Sequence, residues 1–214
     1  MYVALLAMLG ALLALSPAEA TLGNVVKIVY AHGAAQRIAV YAYILAGVLG
    51  IVSLALRFTV IASEAKQSPT VRAEIVSSQT ALLAVTLTRW SRGFTETALV
   101  FYLAQFVISL PAQLLAWGGI SWTEPRVLSA IWILAFTILV YGVAVWMNDP
   151  RGMAVAGIAN AAIVLILLRG AVNIIHPNDP IIASESLAIK GFYFAIVLTT
   201  GALAFVFARD RARE

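Results

Sequence analysis

The chain has 214 residues, of which 62% are hydrophobic and only 11% are charged. Soluble domains carry about 25% charged residues, so this composition excludes an ordinary soluble protein and indicates an integral membrane protein. The net charge of +4 does not indicate nucleic-acid binding, because the basic residues flank apolar runs, and the lack of cysteine excludes disulfides and thiolate metal sites.

Six apolar runs predict an all-α polytopic membrane protein with six transmembrane helices in a single membrane domain, residues 1–214. A span needs about 20 apolar residues, and most of the runs approach that length. The predicted spans are residues 2–16, 37–56, 97–116, 127–147, 153–168 and 187–208. The first run also fits a signal peptide cleaved after Ala20, within an Ala-x-Ala pattern, and cleavage would leave five spans.

Two connections between the predicted spans differ in character. Residues 57–92 are polar and basic, and their apolar patch, residues 81–87, is too short to cross a bilayer. We therefore predict a cytoplasmic loop there, with one interfacial helix. Residues 148–152 predict a tight turn instead, because Pro150 and Gly152 stop one helix and release the next.

The basic residues indicate which ends of the spans face the cytoplasm. One side collects Arg57, Lys66, Arg72, Arg89, Arg92, Arg151, Arg209, Arg211 and Arg213, whereas the other collects only Lys27, Arg37, Arg126, Arg169 and Lys190. The excess makes the first side cytoplasmic by the positive-inside rule. Three segments then share the outer face: the segment with His32, the loop of residues 117–126, and the segment with His176.

The outer loop of residues 117–126 combines residue types that connecting loops rarely bring together. It holds two indoles, two glycines, an acid and a base: Trp117, Gly118, Gly119, Trp122, Glu124 and Arg126. Such a loop presents aromatic faces at a membrane surface, where tryptophan is enriched. On their own, these residues are also explained as interfacial anchors beside a solvated ion pair.

The two histidines on this face suggest a ligand. Two neutral imidazoles on opposite sides of a planar macrocycle supply both axial positions of a haem iron, and the macrocycle stacks on indole. A structural zinc site needs about four ligands and fits less well. Arg126 is the candidate partner of a haem propionate, with Lys27 and Arg37 as alternatives.

The order of these segments on six spans resembles the haem-handling family of cytochrome c maturation, haem exporter protein C, whose wider superfamily includes the cytochrome c synthases. The resemblance covers most of residues 25–211, apart from the predicted cytoplasmic loop. Residues 28–32 are similar to the family's first histidine motif, residues 117–126 to its tryptophan-rich motif, and His176 with Pro177 to its second histidine. That family has more tryptophans in this loop and an aspartate where Glu124 stands.

The resemblance implies a function without autonomous catalysis. The chain would hold a non-covalent b-type haem at the outer face of the cytoplasmic membrane, between His32 and His176 as the axial iron ligands. Residues Trp117, Gly118, Trp122, Glu124 and Arg126 would complete the site. A membrane-anchored haem chaperone would receive the haem, with an ABC transporter complex as a further partner.

Two other functions remain open. The chain would be an electron-transfer subunit if it kept a b-type haem permanently between the histidines. It would be a structural or permease-like homologue if it had lost haem. Weak, exchangeable haem favours delivery, haem retained through purification favours electron transfer, and absence of haem favours the third function.

Overall fold

The structure, a computed structural model, describes residues 1–64, 71–172, 181 and 184–214. These residues form helices and no β-strand, which confirms the predicted all-α class. The helices are α1 (Tyr2–Leu15), α2 (Val26–Glu64), α3 (Val71–Trp117), α4 (Pro125–Met147), α5 (Pro150–Gly170) and α6 (Leu187–Arg213). The hairpin of α2 and α3 makes the most extensive contact between any two elements, and α5 packs against α2 and α4.

Helices α2 to α6 are long and apolar enough to cross a bilayer, which confirms a multi-pass membrane protein. Helix α1 has 14 residues, or about 21 Å at about 1.5 Å per residue, and a bilayer core measures about 30 Å. It runs antiparallel to α6: the Tyr2 hydroxyl donates to the Asp210 carboxylate at 3.0 Å, and Leu12 packs near the start of α6. Its role as a sixth span stays a prediction.

The turn predicted at residues 148–152 is confirmed. Asn148 ends α4 in the left-handed conformation, with φ 48°, and its N–H donates to the Val145 carbonyl. The Asp149 carboxylate accepts from the N–H of Arg151 at 2.9 Å, and Pro150 is the first residue of α5. The cap that ends α4 and the cap that begins α5 leave only a short turn between them. The two helices are therefore antiparallel neighbours.

Most of residues 57–92 is helical, whereas the sequence predicted a loop with one interfacial helix. The cytoplasmic location of this segment stays a prediction. Helix α2 continues to Glu64 and α3 begins at Val71. Only residues 65–70, which lie outside the described part of the chain, connect the two helices. Side-chain hydrogen bonds join the two helices near this part of the hairpin: the Ser53 hydroxyl donates to the Ala84 carbonyl at 2.8 Å, and Arg57 Nη2 donates to Thr88 Oγ1 at 3.3 Å.

The core lies between α2, α3, α4 and α5 and is built around two tyrosines. Tyr43 and Tyr102 are fully buried, and their rings meet edge to face with centroids 6.2 Å apart. The Tyr43 hydroxyl donates to Thr137 Oγ1 at 3.1 Å, which satisfies it inside the bundle. This core fixes the relative positions of the helix ends that form the candidate site.

Small residues let α3 and α6 approach closely at Gly93. A methyl group added there would meet the backbone carbonyl of Ala208 at well under 3.0 Å, so the two helices would have to separate. We expect Gly93→Ala to destabilise the protein by about 1–3 kcal/mol, the range for overpacking. Gly142 has no heavy atom within 4 Å of its added methyl group, so Gly142→Ala is the matched control. Equal stability of the two variants in detergent denaturation would contradict this packing.

Candidate functional site

A cavity of about 690 Å³ lies at one end of the bundle, where α2, α4 and α6 begin and α3 and α5 end. Its size is within the about 300–1,000 Å³ typical of small-molecule sites. We call it the Glu124 cavity. Its polar and charged lining residues are Glu19, Thr21, His32, Gln36, Arg37, Gln105, Ser109, Gln113, Glu124, Arg126 and Ser184, and its aromatic ones are Tyr30, Tyr102, Phe106, Trp117 and Tyr193.

His32 lines this cavity from a helix, whereas the sequence predicted a loop position. It lies in the second turn of α2, which begins at Val26, 11 residues before the predicted span. Its Nδ1 lies 3.1 Å from the backbone carbonyl oxygen of Gln105 in α3. A carbonyl oxygen can only accept, so Nδ1 carries the proton, and in the neutral ring the lone pair is on Nε2. This hydrogen bond fixes the ring's orientation and its tautomer.

The tryptophan loop contributes one of its two indoles to the cavity. Trp117, the last residue of α3, lines it and is 48% exposed, so the ring faces both the cavity and its surroundings. Gly118, with φ +74°, ends the helix by donating its N–H to the Leu114 carbonyl. Trp122 is 53% exposed, and neither it nor Gly118 lines the cavity.

Glu124 is buried, contrary to its interpretation as half of a solvated pair. Only 1% of the residue is exposed, and its side chain caps α4: Oε2 accepts from the N–H of Val127 at 2.9 Å. Its other oxygen, Oε1, has no hydrogen-bond partner among the described residues. Arg126, in the first turn of α4, is half-buried and lines the same cavity.

The sequence left Arg37 as an alternative partner of a haem propionate, and Arg37 also lines the cavity. Its guanidinium carbon lies 5.3 Å from the centre of the Tyr193 ring, which is close enough for a cation–π contact. Lys27 does not line the cavity, and its ammonium donates to the Ala14 carbonyl at 2.7 Å. Of the described residues, two arginines therefore line the cavity, Arg37 and Arg126.

The connection between α1 and α2 closes one side of the cavity. Glu19 and Gly23 exchange two backbone hydrogen bonds, of 3.2 and 2.7 Å, to form a compact turn. Hydrogen bonds from the backbone N–H groups of Leu22 and Thr21, both 2.8 Å long, hold the pKa of Glu19 below its usual range. Glu19 is therefore a carboxylate at neutral pH, and among the described residues the lining combines two acids, Glu19 and Glu124, with two arginines.

Sequence reasoning missed the contribution of α3. Gln105 and Gln113 are 3% and 7% exposed and line the cavity with Tyr102 and Ser109. These four residues are spaced by three or four positions and so share one helix face. A polar stripe at that spacing within an otherwise apolar span was the available signal, and polar residues inside a span usually face a cavity or the bundle interior.

The second predicted iron ligand, His176, lies outside the described residues. Within the described part of the chain, no group of three or more His, Cys, Asp or Glu side chains could hold a metal ion. Of the predicted site, the structure thus brings together His32, Trp117, Glu124 and Arg126. Comparisons with known proteins add nothing to this geometry: no protein-family model, no curated protein and no solved structure matches the chain.

Proposed function

We propose that this protein binds haem in the Glu124 cavity, at the outer face of the cytoplasmic membrane, and delivers it during cytochrome c biogenesis. The observation that carries the proposal is His32, whose Nδ1–H···O=C bond to Gln105 directs the lone pair of the neutral ring to Nε2. Trp117 and Arg126 line the same cavity. The candidate iron ligand, stacking surface and propionate partner therefore line the same cavity.

The lining fits a planar, largely apolar macrocycle that has two carboxylates. Aromatic residues from α2, α3 and α6 supply contact area, and an aromatic contact is worth about 0.5–1.5 kcal/mol beyond burial. Arg126 and Arg37 are the candidate partners of the two propionates. Arginine suits this role because its planar fork matches a carboxylate with two parallel hydrogen bonds. When bound, haem would supply the iron that His32 ligates.

Delivery requires that the ligand remain accessible to an acceptor. Trp117 and Trp122 are about half exposed at the end of the bundle where the cavity lies, so they are available to an incoming protein. We propose a membrane-anchored haem chaperone as the acceptor and an ABC transporter complex as a further partner. His176 is proposed as the second axial ligand. The chain itself would break no covalent bond.

The Arg126 assignment is testable by a substitution that keeps the charge. Arg126→Lys is expected to weaken haem binding about tenfold, because lysine cannot make the two parallel bonds of the guanidinium fork. Glu124→Gln should weaken binding less, since it removes no propionate partner. Haemin titration in a single detergent measures both effects.

The chain offers a matched control for that titration. Arg151 follows an acid and a proline at the start of α5, as Arg126 does at the start of α4, and it is exposed at the opposite end of the bundle. Arg151→Lys should bind haem as the parent does. Parental affinity in Arg126→Lys would remove Arg126 from propionate binding and leave Arg37.

A further inference from the structure

Two residues that line the Glu124 cavity each carry a buried oxygen acceptor that has no hydrogen-bond partner among the described residues. These acceptors are Oε1 of Glu124, at the start of α4, and Oε1 of Gln113, near the end of α3. The two residues are 1% and 7% exposed, and both line the cavity. Buried polar atoms are almost always paired, so each such exception requires an explanation, and a bound water, ion or ligand that donates is one of them.

Haem does not supply these donors. Its vinyl groups carry no polar hydrogen, and its propionates at neutral pH are acceptors, as are the two orphaned oxygens. The guanidinium groups on the cavity wall account for the propionates, whereas a buried carboxylate oxygen and an amide oxygen call for N–H or O–H groups. The two oxygens therefore point to a ligand class other than haem, one that has N–H or O–H donors, beyond the proposed haem function.

The charge of Glu124 selects a cationic donor. A buried carboxylate is costly unless it is paired with a cation and hydrogen-bonded, and charge-assisted hydrogen bonds are about twice as strong as neutral ones. A primary ammonium carries three N–H donors, so one such group can satisfy more than one acceptor. Aromatic rings in the lining, such as Tyr102 and Tyr30, add cation–π attraction for such a group.

The location of the cavity indicates where the ammonium group comes from. The cavity lies among the ends of membrane-spanning helices, and exposed Trp117 and Trp122 mark the depth of lipid headgroups. Apolar residues such as Val29, Leu168 and Ile189 complete its lining and suit an acyl chain. We propose that Glu124 and Gln113 form a subsite for the ammonium headgroup of an ethanolamine phospholipid.

The test compares two zwitterionic lipids that differ in their N–H donors. Parent protein in detergent micelles receives ethanolamine, choline or glycerol phospholipids with identical acyl chains, and native mass spectrometry counts the retained lipid. The trimethylammonium of choline has no N–H, and the glycerol headgroup has no cation. We expect the parent to retain the ethanolamine lipid about tenfold over each of the others.

Two variants show which residues produce the preference for the ethanolamine lipid. Glu124→Gln should make the retention of ethanolamine and choline lipids nearly equal, while its amide oxygen can still cap α4. Gln113→Leu should reduce the preference for the ethanolamine lipid about threefold. Asp149→Asn removes the same charge from the cap of α5, outside the cavity, and should keep the parental preference. Thermal melts confirm that each variant is folded.

Equal retention of ethanolamine and choline lipids by the parent would overturn the proposal, since water alone would then satisfy both oxygens. A parental preference in Glu124→Gln would also overturn it. A haemin titration of the parent tests the haem proposal alone, and the lipid comparison tests the ethanolamine proposal alone. Failure of one proposal is therefore distinguishable from failure of the other.

Discussion

Replacing His32 with alanine is expected to abolish the low-spin, six-coordinate absorption spectrum of haem-loaded protein. The imidazole lines the cavity from α2, and its Nδ1 hydrogen bond to Gln105, 3.1 Å long, orients it. Loss of one axial nitrogen converts a bis-imidazole iron to a five-coordinate or water-ligated form. Absorption spectra of parent and variant, loaded with equal haemin, measure the change.

Two further samples show whether the effect is ligation or folding. Free imidazole added to His32→Ala should restore the six-coordinate spectrum, because the truncated side chain leaves room for it in the cavity. His176→Ala should lose the same spectrum if that residue is the second ligand. Trp117→Ala should weaken haem retention without changing the ligand field. A parental spectrum in His32→Ala would remove His32 from the site.

Removing the carboxylate of Glu96 is expected to destabilise the bundle by about 1–3 kcal/mol. Glu96 is 7% exposed and accepts from Arg92 Nε at 2.7 Å, from the Tyr141 hydroxyl at 2.6 Å and from Arg211 Nε. These bonds connect α3, α4 and α6. Breaking a buried pair typically costs about 3–5 kcal/mol, and the partial exposure of Arg92 and Arg211 lowers the expected value.

Graded variants identify the source of this loss. Glu96→Ala leaves two guanidinium groups without their shared anion, whereas Tyr141→Phe removes one hydrogen bond and should cost only about 0.5–1.5 kcal/mol. Glu185→Ala removes an exposed carboxylate and should be neutral. Denaturation in mixed micelles ranks the three variants. A Glu96→Ala variant as stable as the parent would show that the cluster contributes nothing to stability.

The sequence predicted helix ends well where capping chemistry marks them. Helix α4 begins at Pro125, with Glu124 as its cap, and α5 begins at Pro150, with Asp149 as its cap, within three residues of the predicted spans. No such signal ends α2 or begins α3 near the bilayer boundary. Hydropathy reports membrane depth and not helicity, so both helices extend well beyond the predicted spans.

For the candidate site, residue types were predictable and their environments were not. His32, Trp117 and Arg126 stand out in the sequence because they are rare types beside apolar runs. The burial of Glu124 depends on the helices packed around the start of α4, because Asp149 caps α5 in the same sequence pattern and is not buried. The bond between His32 and Gln105 joins residues 73 positions apart, and only the tertiary structure shows it.

Haemin titration of the detergent-purified parent protein, followed by absorption, tests the central claim most directly. We expect saturable binding of one haem per chain, with a low-spin spectrum that develops in proportion to occupancy. Exchange of the bound haem to an added acceptor would support delivery over permanent electron transfer. A titration with no saturable component, or one that yields only the spectrum of haemin in empty micelles, would contradict a haem-binding function.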